Sequence, residues 1–234
     1  MKNATHSIAS HAYSTGARAL FLVFFLALSG CALTRPTARP AVYDFGPGRL
    51  SSAPAPQAGQ VAASALAPLV LDEVQASSAL DGSAVLYRLA YTNEQQLRPY
   101  ALARWSMPPA QLVRQRLREQ LGQDRALLEP GAVVSAARLS TPGALAGVTS
   151  ITLRVELEEF SQLFEAPGSS VGLLRLRATL TQASPSGAGL LAQRIIVVQR
   201  PAPSADAVGG VQALRLATDA AAQELAQWLQ QLGH

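Results

Sequence analysis

The sequence predicts an α/β protein of the α+β type. It would have a single mostly antiparallel or mixed β-sheet with two main helices packed on it, preceded by an apolar leader and a flexible tether. Apolar and polar residues alternate along several segments in the second half of the chain, which is typical of half-buried strands. In two other segments apolar residues repeat every three or four positions, which is typical of helices. Hydrophobic residues make up 49% of the 234 residues, enough for one sizeable core.

The leader covers residues 1–30 and matches a secretory signal peptide. Its first part is polar with cations at Lys2 and Arg18, and the apolar run 19–28 follows. As a helix this run would span about 15 Å, roughly half of a bilayer core, which is too short for a membrane anchor and typical of a signal-peptide core. Because the leader carries no acidic residue, its removal would leave a nearly neutral chain, which argues against a nucleic-acid partner.

The single cysteine of the chain, Cys31, ends this leader in the pattern of a bacterial lipobox. Leu28 supplies the aliphatic residue, and Ser29 and Gly30 are small enough for a signal peptidase to approach the backbone. We therefore expect cleavage before Cys31 and acylation of its thiol and new amine, which would hold the protein on a membrane surface. The alternative is a buried, inert Cys31 in an uncleaved helix. In enterobacteria-like sorting an aspartate directly after the lipidated cysteine retains a lipoprotein at the inner membrane. Here that position is Ala32, which favours the outer membrane, facing the periplasm.

Residues 31–66 are interpreted as a lipidated tether. This stretch is rich in proline, alanine, serine and glycine, and it cannot bury enough apolar surface to fold alone. A short strand, VYDFG, is predicted within it at 42–46. Residues 67–234 are then expected to form the folded domain.

Two strands, 69–74 and 83–92, are predicted at the start of this domain. A turn at 81–82 (Asp-Gly) indicates that they form a hairpin. Alternation along the second strand places four residues on one face, Val85, Tyr87, Leu89 and Tyr91.

The next predicted element is a helix that follows Trp105. Ser106 is its expected N-cap, and Pro108 and Pro109 would fall in the first turn, where missing N–H groups matter little. Gly122 is the expected C-cap. The apolar stripe of this helix consists of Leu112, Val113, Leu117 and Leu121.

Three further strands, 151–158, 174–181 and 190–198, are the clearest part of the pattern. Turn-forming residues between them predict an antiparallel meander. The strand 190–198 is apolar on both faces except near Gln193 and Arg194, which predicts a central position in the sheet. The chain is predicted to end in a helix over 206–232, with an apolar stripe of Leu214, Ala217, Ala221, Leu225, Trp228 and Leu232.

The inventory of reactive side chains argues against catalysis. After cleavage His234 would be the only histidine, so there is no base for a serine or cysteine nucleophile and no His/Cys set for zinc. No nucleotide-binding glycine motif occurs, and we expect no cofactor. Glu156 and Glu158 could form an acid–base pair, but a solvated strand face is the favoured interpretation. The pair 209–210 (Gly-Gly) is interpreted as a flexible entry turn to the last helix, rather than as an anion site.

Segment 80–109 resembles the ABC-type transport auxiliary lipoprotein family (PqiC/YmbA-like). Members of that family show an early Tyr-x-Leu/Phe-Gly strand, matched at 43–46, and a Val-x-Tyr-Arg strand, matched at 85–88. Tyr100 then precedes a Trp-x-x-Pro-Pro element that begins at Trp105. The resemblance extends, with more generic matches, towards the C-terminus. Those later matches are Phe160, the apolar run 195–198 and Trp228.

This resemblance implies an auxiliary component of a lipid-trafficking system. In such systems an ABC transporter, made of permease and ATPase, works with a mammalian-cell-entry (MCE) domain protein that binds lipid and spans the periplasm. The lipoprotein would receive or dock that protein at the outer membrane, and a homo-oligomer would suit a lipid conduit. The family has no established catalytic residues, so none are carried over. The candidate partner or lipid contacts are Tyr87, Arg88 and Trp105.

Other interpretations are left open by the sequence. The protein could be a structural lipoprotein of envelope assembly, or, with the least support, a periplasmic hydrolase that works without histidine. Arg88 and Arg104 could bind an anionic headgroup, although surface or edge positions explain them equally well. Aromatic residues could line a lipid pocket, with core packing as the alternative. The residues concerned are Tyr87, Tyr91, Trp105, Phe160 and Phe164.

Overall fold

The computed structural model describes residues 38–48, 66–130, 151–184 and 187–233. Within them one mixed sheet of nine strands carries three α-helices, which confirms the predicted fold class. The strands are β1 (Ala41–Tyr43), β2 (Leu69–Leu71), β3 (Gln75–Ala76), β4 (Ala84–Leu89), β5 (Glu94–Trp105), β6 (Leu127–Leu128), β7 (Ile151–Ala166), β8 (Ser169–Ser184) and β9 (Gly187–Pro201). The helices are α1 (Ala90–Asn93), α2 (Pro109–Leu121) and α3 (Ala207–Gln231), and a 3-10 turn covers Ser78–Leu80.

The long strands β7, β8 and β9 form the antiparallel meander that the sequence predicts. β7 pairs with β8 along almost its whole length, and β8 pairs with β9 in the same way. The strands are longer than the alternating segments suggest, because the pairing continues through residues that flank the tight turns. This meander is the frame on which the remaining elements are placed.

The other side of β7 is lined by three short strands that run parallel to it in succession. β2 pairs beside Ile151, β3 beside Glu156 and β4 beside Gln162. β6 extends the sheet beyond β2, while β5 and then β1 extend it beyond β4. The predicted hairpin between 69–74 and 83–92 is therefore wrong. Both segments run in the same direction along β7, and the antiparallel partner of β4 is β5, which directly follows it.

A single core lies between the sheet and its two main helices. On β7 the inward residues are Leu153, Val155 and Leu157, and an irregularity in the pairing after Leu157 shifts the inward positions to Phe160 and Phe164. On β8 the inward residues are those with even numbers from 174 to 180, all of them buried. The buried stripes of α2 and α3 join the same cluster as predicted, except that Leu232 is the C-cap of α3 and is 39% exposed.

The start of α2 differs from the prediction, whereas its end agrees. Pro108 is the N-cap, without a side-chain cap, and Pro109 opens the helix. Ser106 does not cap it; its backbone N–H donates instead to the carbonyl of Tyr43 at 2.7 Å, which ties β1 to this connection. Gly122 is the C-cap as predicted, and its N–H donates to the Arg118 carbonyl at 2.9 Å.

Helix α3 is held close to the sheet at its N-terminal end. Its N-cap is Asp206, whose carboxylate accepts a hydrogen bond from the N–H of Gly209 at 2.8 Å. The interpretation of 209–210 as a flexible entry turn is wrong. Both glycines belong to the first turn of α3 and are buried. Neither position has room for a side chain, since a Cβ at Gly209 would lie 2.1 Å from the Ser204 carbonyl oxygen and one at Gly210 would lie 2.1 Å from Gln162 Oε1.

Strand β9 does not occupy the predicted central position. Among the described residues it pairs with β8 alone, so it forms an edge of the sheet. Ile196 and Val198 face the core, while Ile195 and Val197 lie on the outer face and are about half exposed. The apolar residues on the inner face of β9 are therefore buried, whereas those on its outer face are exposed. Hydropathy alone does not distinguish such an edge strand from a central strand that is buried on both faces.

Candidate functional site

The lipobox residues Leu28, Ser29, Gly30 and Cys31 lie outside the residues that the structure describes. The three candidate contact residues of the folded domain all lie within them. They occupy three different environments.

Tyr87 belongs to a small aromatic cluster between β4, β5 and β7. Its ring lies 4.6 Å from that of Tyr100 and 5.9 Å from that of Phe164, measured between centroids. Tyr87 is half-buried. Tyr91, which the sequence places on the same face, lies in α1 instead, because β4 ends at Leu89; it is 48% exposed.

Arg88 is tied down by several neighbours and does not present a free cation. Its Nη2 and Nε donate to the two carboxylate oxygens of Glu159, at 2.9 and 3.3 Å. Its Nη1 donates to the carbonyls of Glu94 and Gln95 at the start of β5. The guanidinium of Arg88 thus joins β4, β5 and β7 on the outer face of the sheet. Arg104, the other arginine considered for a headgroup contact, is exposed on β5.

Trp105 lies in the core, where it is 2% exposed. Its ring centroid is 5.8 Å from that of Phe45 in an edge-on contact and 5.6 Å from that of Phe160. This second aromatic cluster is separate from the tyrosine cluster. The structure therefore does not gather the five aromatic residues of the hypothetical lipid pocket around one cavity.

A buried polar network beneath the N-terminal end of α3 has no counterpart in the sequence analysis. The hydroxyl of Tyr100 donates to Gln162 Oε1 at 2.8 Å, and Gln162 Nε2 donates to Ser170 Oγ at 2.7 Å. Gln162 is fully buried and Ser170 nearly so. The signal available in the sequence is the polar Gln162 at an inward position of a strand that is otherwise apolar on that face. Such a residue requires internal hydrogen-bond partners.

The Tyr100 hydroxyl gives this network a measurable pH dependence. Burial, with smaller contributions from Tyr87 and Asp206, raises the pKa of Tyr100 from 10.0 to about 12. The unfolded chain loses this proton near pH 10 while the folded protein retains it, so stability must fall as the pH rises from about 10 to about 12. We expect a smaller fall of the urea midpoint over this range in Tyr100→Phe than in the wild type. Equal falls in both proteins would contradict this assignment.

The carboxylates on the outer face of β7 are engaged in ion pairs. Glu158 accepts from Arg175 Nε at 2.7 Å and from Arg177 Nε at 2.8 Å. The hydrogen bond from Arg177 lowers the pKa of Glu158, which is the opposite of what a general acid requires. Glu156, on the same face, lies 3.7 Å from Arg177. The arrangement agrees with a solvated, ion-paired strand face.

A cleft of about 970 Å³ lies between α2, α3 and the segment that follows β1. Arg116 stands at its base. It donates to Glu119 at 2.8 Å and to the Phe45 carbonyl at 3.0 Å, and its Nε forms an ion pair with Asp219 at 3.0 Å. Arg215 also donates to Asp219, at 3.1 Å.

The charge in this cleft is not balanced. Three arginines, Arg116, Arg200 and Arg215, face two carboxylates, Glu119 and Asp219. Within the described part of the chain Arg200 forms no ion pair, and its guanidinium donates only to the neighbouring Gln199 carbonyl. The cleft wall also contains Leu216, which is 41% exposed. The cleft thus combines a surplus positive charge with exposed apolar surface.

In the described residues no group of three or more His, Cys, Asp or Glu side chains is arranged to hold a metal ion. Among the helices of this part of the chain, none has the length and hydropathy needed to cross a membrane.

The fold and the cleft define a single-sheet α/β domain with a surplus of arginine between its two main helices. The chain belongs to the family of ABC-type transport auxiliary lipoprotein components, whose model matches residues 49–226. This confirms the resemblance seen in segment 80–109. The protein is thus an auxiliary lipoprotein component of an ABC-type transport system, and the family is not a known enzyme family.

Two solved structures share this fold. Protein XCC0632 from Xanthomonas campestris superposes with a TM-score of 0.57 at 17% identity, over 72% of this chain and 87% of that chain. An uncharacterized protein superposes with a TM-score of 0.51 at 16% identity, over 70% of this chain and 92% of that chain. At these identities the likeness concerns the fold alone. No curated protein sequence matches the chain.

Proposed function

We propose that this protein is acylated at Cys31, stands at the periplasmic face of the outer membrane, and docks the MCE-domain protein of an ABC transporter that moves lipid. The observation that carries the proposal is the family match over residues 49–226, which makes the chain a transport auxiliary lipoprotein. The lipobox 28–31 adds the means of attachment. A docking protein needs an anchor and a complementary surface, and it needs no reactive side chain.

The cleft between α2 and α3 is the surface that we assign to docking. Its surplus arginine charge would attract an acidic segment, and Leu216 offers apolar surface at the rim of the same cleft. Because Arg116 is already held by Glu119 and Asp219, we assign the partner contacts to Arg200 and Leu216. We expect a segment of the MCE protein with carboxylate and aliphatic side chains to fit here.

The anchor is tested by mass spectrometry and fractionation of the full chain from a bacterial envelope. We expect a mature N-terminus at Cys31 carrying acyl chains, and loss of both processing and outer-membrane fractionation in Cys31→Ser. Ala32→Asp is the matched control for sorting, since it should remain acylated but fractionate with the inner membrane in an enterobacteria-like host. An unmodified thiol with an intact leader would refute the anchor.

Docking is tested by pull-down of the detergent-solubilised full chain with the MCE-domain protein of the same cell. We expect association with the wild type and at least about a tenfold loss with Leu216→Asp or Arg200→Glu, because an unpaired like charge would face the partner. Leu102→Asp is the matched control, since Leu102 is 55% exposed on β5, outside the cleft lining. A wild type that fails to associate would refute the docking role. Association that survives both cleft substitutions would refute only the assignment of the cleft.

A further inference from the structure

The outer edge of β9 is a long, unprotected strand edge. β9 runs over Gly187–Pro201, and in the described ranges no strand pairs with the side that faces away from β8. Over residues 193–199 the backbone N–H and C=O groups on that side have no partner among the described residues and can pair with another strand. Soluble proteins usually protect such edges with charges, proline, bulges or short length. Here the irregularity at Leu191 lies towards one end of the strand and Arg200 and Pro201 lie at the other, and between them the charge of Arg194 is neutralised by Glu224 at 2.8 Å.

The same strand carries a concentration of exposed aliphatic side chains. Four of the ten large hydrophobic residues that are exposed in the described ranges lie on β9, namely Leu190, Leu191, Ile195 and Val197. Ile195 is 44% exposed and Val197 53% exposed. They lie beside Arg177 and Arg175 of β8 on the outer face. A free edge lined by aliphatic side chains is typical of an interaction surface.

The sequence of β9 identifies the partner as a second copy of the chain. Residues 193–199 read QRIIVVQ, and this segment is nearly symmetric about Ile196. In an antiparallel pair centred on Ile196, Ile195 of one copy lies opposite Val197 of the second copy. Gln193 likewise lies opposite Gln199. Aliphatic side chains therefore meet aliphatic side chains on the outer face, and amide meets amide, as stable cross-strand pairs require.

Neighbouring registers lack this match. Centring the pair on Arg194 would place Arg194 opposite itself, and like charges directly opposite each other destabilise a sheet. Centring it on Ile195 would place Val197 opposite Gln193, and centring it on Val197 would place Ile195 opposite Gln199. The register centred on Ile196 is thus favoured by the side chains of the outer face, and on the inner face it places Arg194 opposite Val198 rather than opposite another arginine.

We propose that β9 pairs with β9 of a second copy, antiparallel about a two-fold axis at Ile196, so that one sheet continues across the dimer. The outer face near the axis adds little repulsion, because within each copy Glu158 pairs with both Arg175 and Arg177 and Glu156 lies 3.7 Å from Arg177. Such an interface is isologous, since the same strand serves both partners. Arg200 of the same strand lines the cleft between α2 and α3, but the pairing uses the backbone edge and the outer-face residues Ile195 and Val197, so Leu216→Asp on α3 tests docking apart from the dimer.

The register can be tested by cysteine cross-linking of the full chain in detergent. Cys31 is the only native cysteine, and the acylation proposed above leaves the wild-type background without a free thiol, which oxidation of the wild type alone checks. In that background, Ile195→Cys and Val197→Cys are made in separate copies with tags of different size, mixed, and oxidised. We expect the mixed pair to cross-link several times more efficiently than either variant alone, because opposite residues lie within disulfide distance and diagonal ones do not.

Leu102→Cys, exposed to a similar extent on β5, is the control for random collision. Cross-linking of the mixed pair at the level of this control would overturn the proposal. More efficient cross-linking of Ile195→Cys alone would also overturn it, because that result places the axis at Ile195.

The dimer itself is tested by sedimentation of the full chain at several concentrations in detergent. We expect a wild-type dimer whose dissociation constant rises at least about tenfold in the double variant Ile195→Glu, Val197→Glu, which brings glutamates of the two copies opposite each other. Within each copy both positions are exposed and lie beside Arg177 and Arg175, so the monomer should keep its melting temperature. Leu102→Glu should leave the dimer unchanged. A wild type that is monomeric throughout, or a dimer that withstands the double variant, would refute the proposal.

Discussion

Replacing Gly172 by alanine is expected to lower the free energy of unfolding by about 3 kcal/mol, because a buried side chain would be forced into a packed backbone. Gly172 lies on β8 directly beneath α3. A Cβ there would lie 2.6 Å from the carbonyl carbon of Ala213, 2.6 Å from the backbone nitrogen of Leu214 and 2.8 Å from Ala213 Cβ. Backbone atoms of a helix cannot rotate away, so α3 would have to lift from the sheet.

Urea denaturation followed by far-UV circular dichroism measures this effect. Gly168→Ala is the matched control, since Gly168 lies in the β7–β8 turn and a Cβ there would meet nothing within 4 Å. We expect the control to change stability by less than about 1 kcal/mol, mainly through the unfolded chain. If Gly172→Ala were as stable as Gly168→Ala, the close seat of α3 on β8 would be refuted.

The elements that could be predicted from the sequence are those whose signal is local. The stripes of α2 and α3 repeat with the helical period, and the alternating segments of β7 and β8 have one buried face each. Short turn sequences between β7, β8 and β9 then require antiparallel neighbours. In each case the residues that carry the signal are also the residues that make the contacts.

The sequence predicts β2 and β4 as strands but not their direction relative to β7, and it does not reveal β3 or β5 as strands. The short strands β2, β3 and β4 each pair with β7 in parallel, and only the order of their partners along β7 reveals this direction. β5 was not predicted because its residues are mostly polar or exposed, and its place is set by pairing with β4 and β1. A strand defined by backbone pairing alone leaves little trace in hydropathy.

The candidate site shows the same limit. The sequence singles out Tyr87, Arg88 and Trp105, but it does not reveal that Arg88 is committed to Glu159. Nor does it indicate the cleft, since Arg116 and Asp219 come from helices that are far apart in the chain. Charged side chains on two helices form a site only when those helices pack together, which depends on the whole core.

Replacing Trp105 by alanine is expected to lower the free energy of unfolding by about 4 kcal/mol, since a large buried aromatic side chain would leave a cavity. Trp105 is 2% exposed and contacts both Phe45 and Phe160. Phe45 follows β1, Trp105 ends β5, and Phe160 lies on β7. Loss of the Trp105 ring would therefore weaken the contact between the sheet edge formed by β1 and β5 and the central strand β7.

This result would separate a structural role of Trp105 from a role in partner contact. Far-UV circular dichroism during urea denaturation is the suitable probe, because the substitution removes one of the two tryptophans. Tyr91→Ala is the matched control: Tyr91 is 48% exposed, and its removal should change stability by no more than about 0.5 kcal/mol. A Trp105→Ala protein with wild-type stability that no longer associates with the MCE protein would make Trp105 a contact residue. Because the ring has almost no accessible surface, we expect the opposite result. Stability should fall, and binding by the fraction that remains folded should be unchanged.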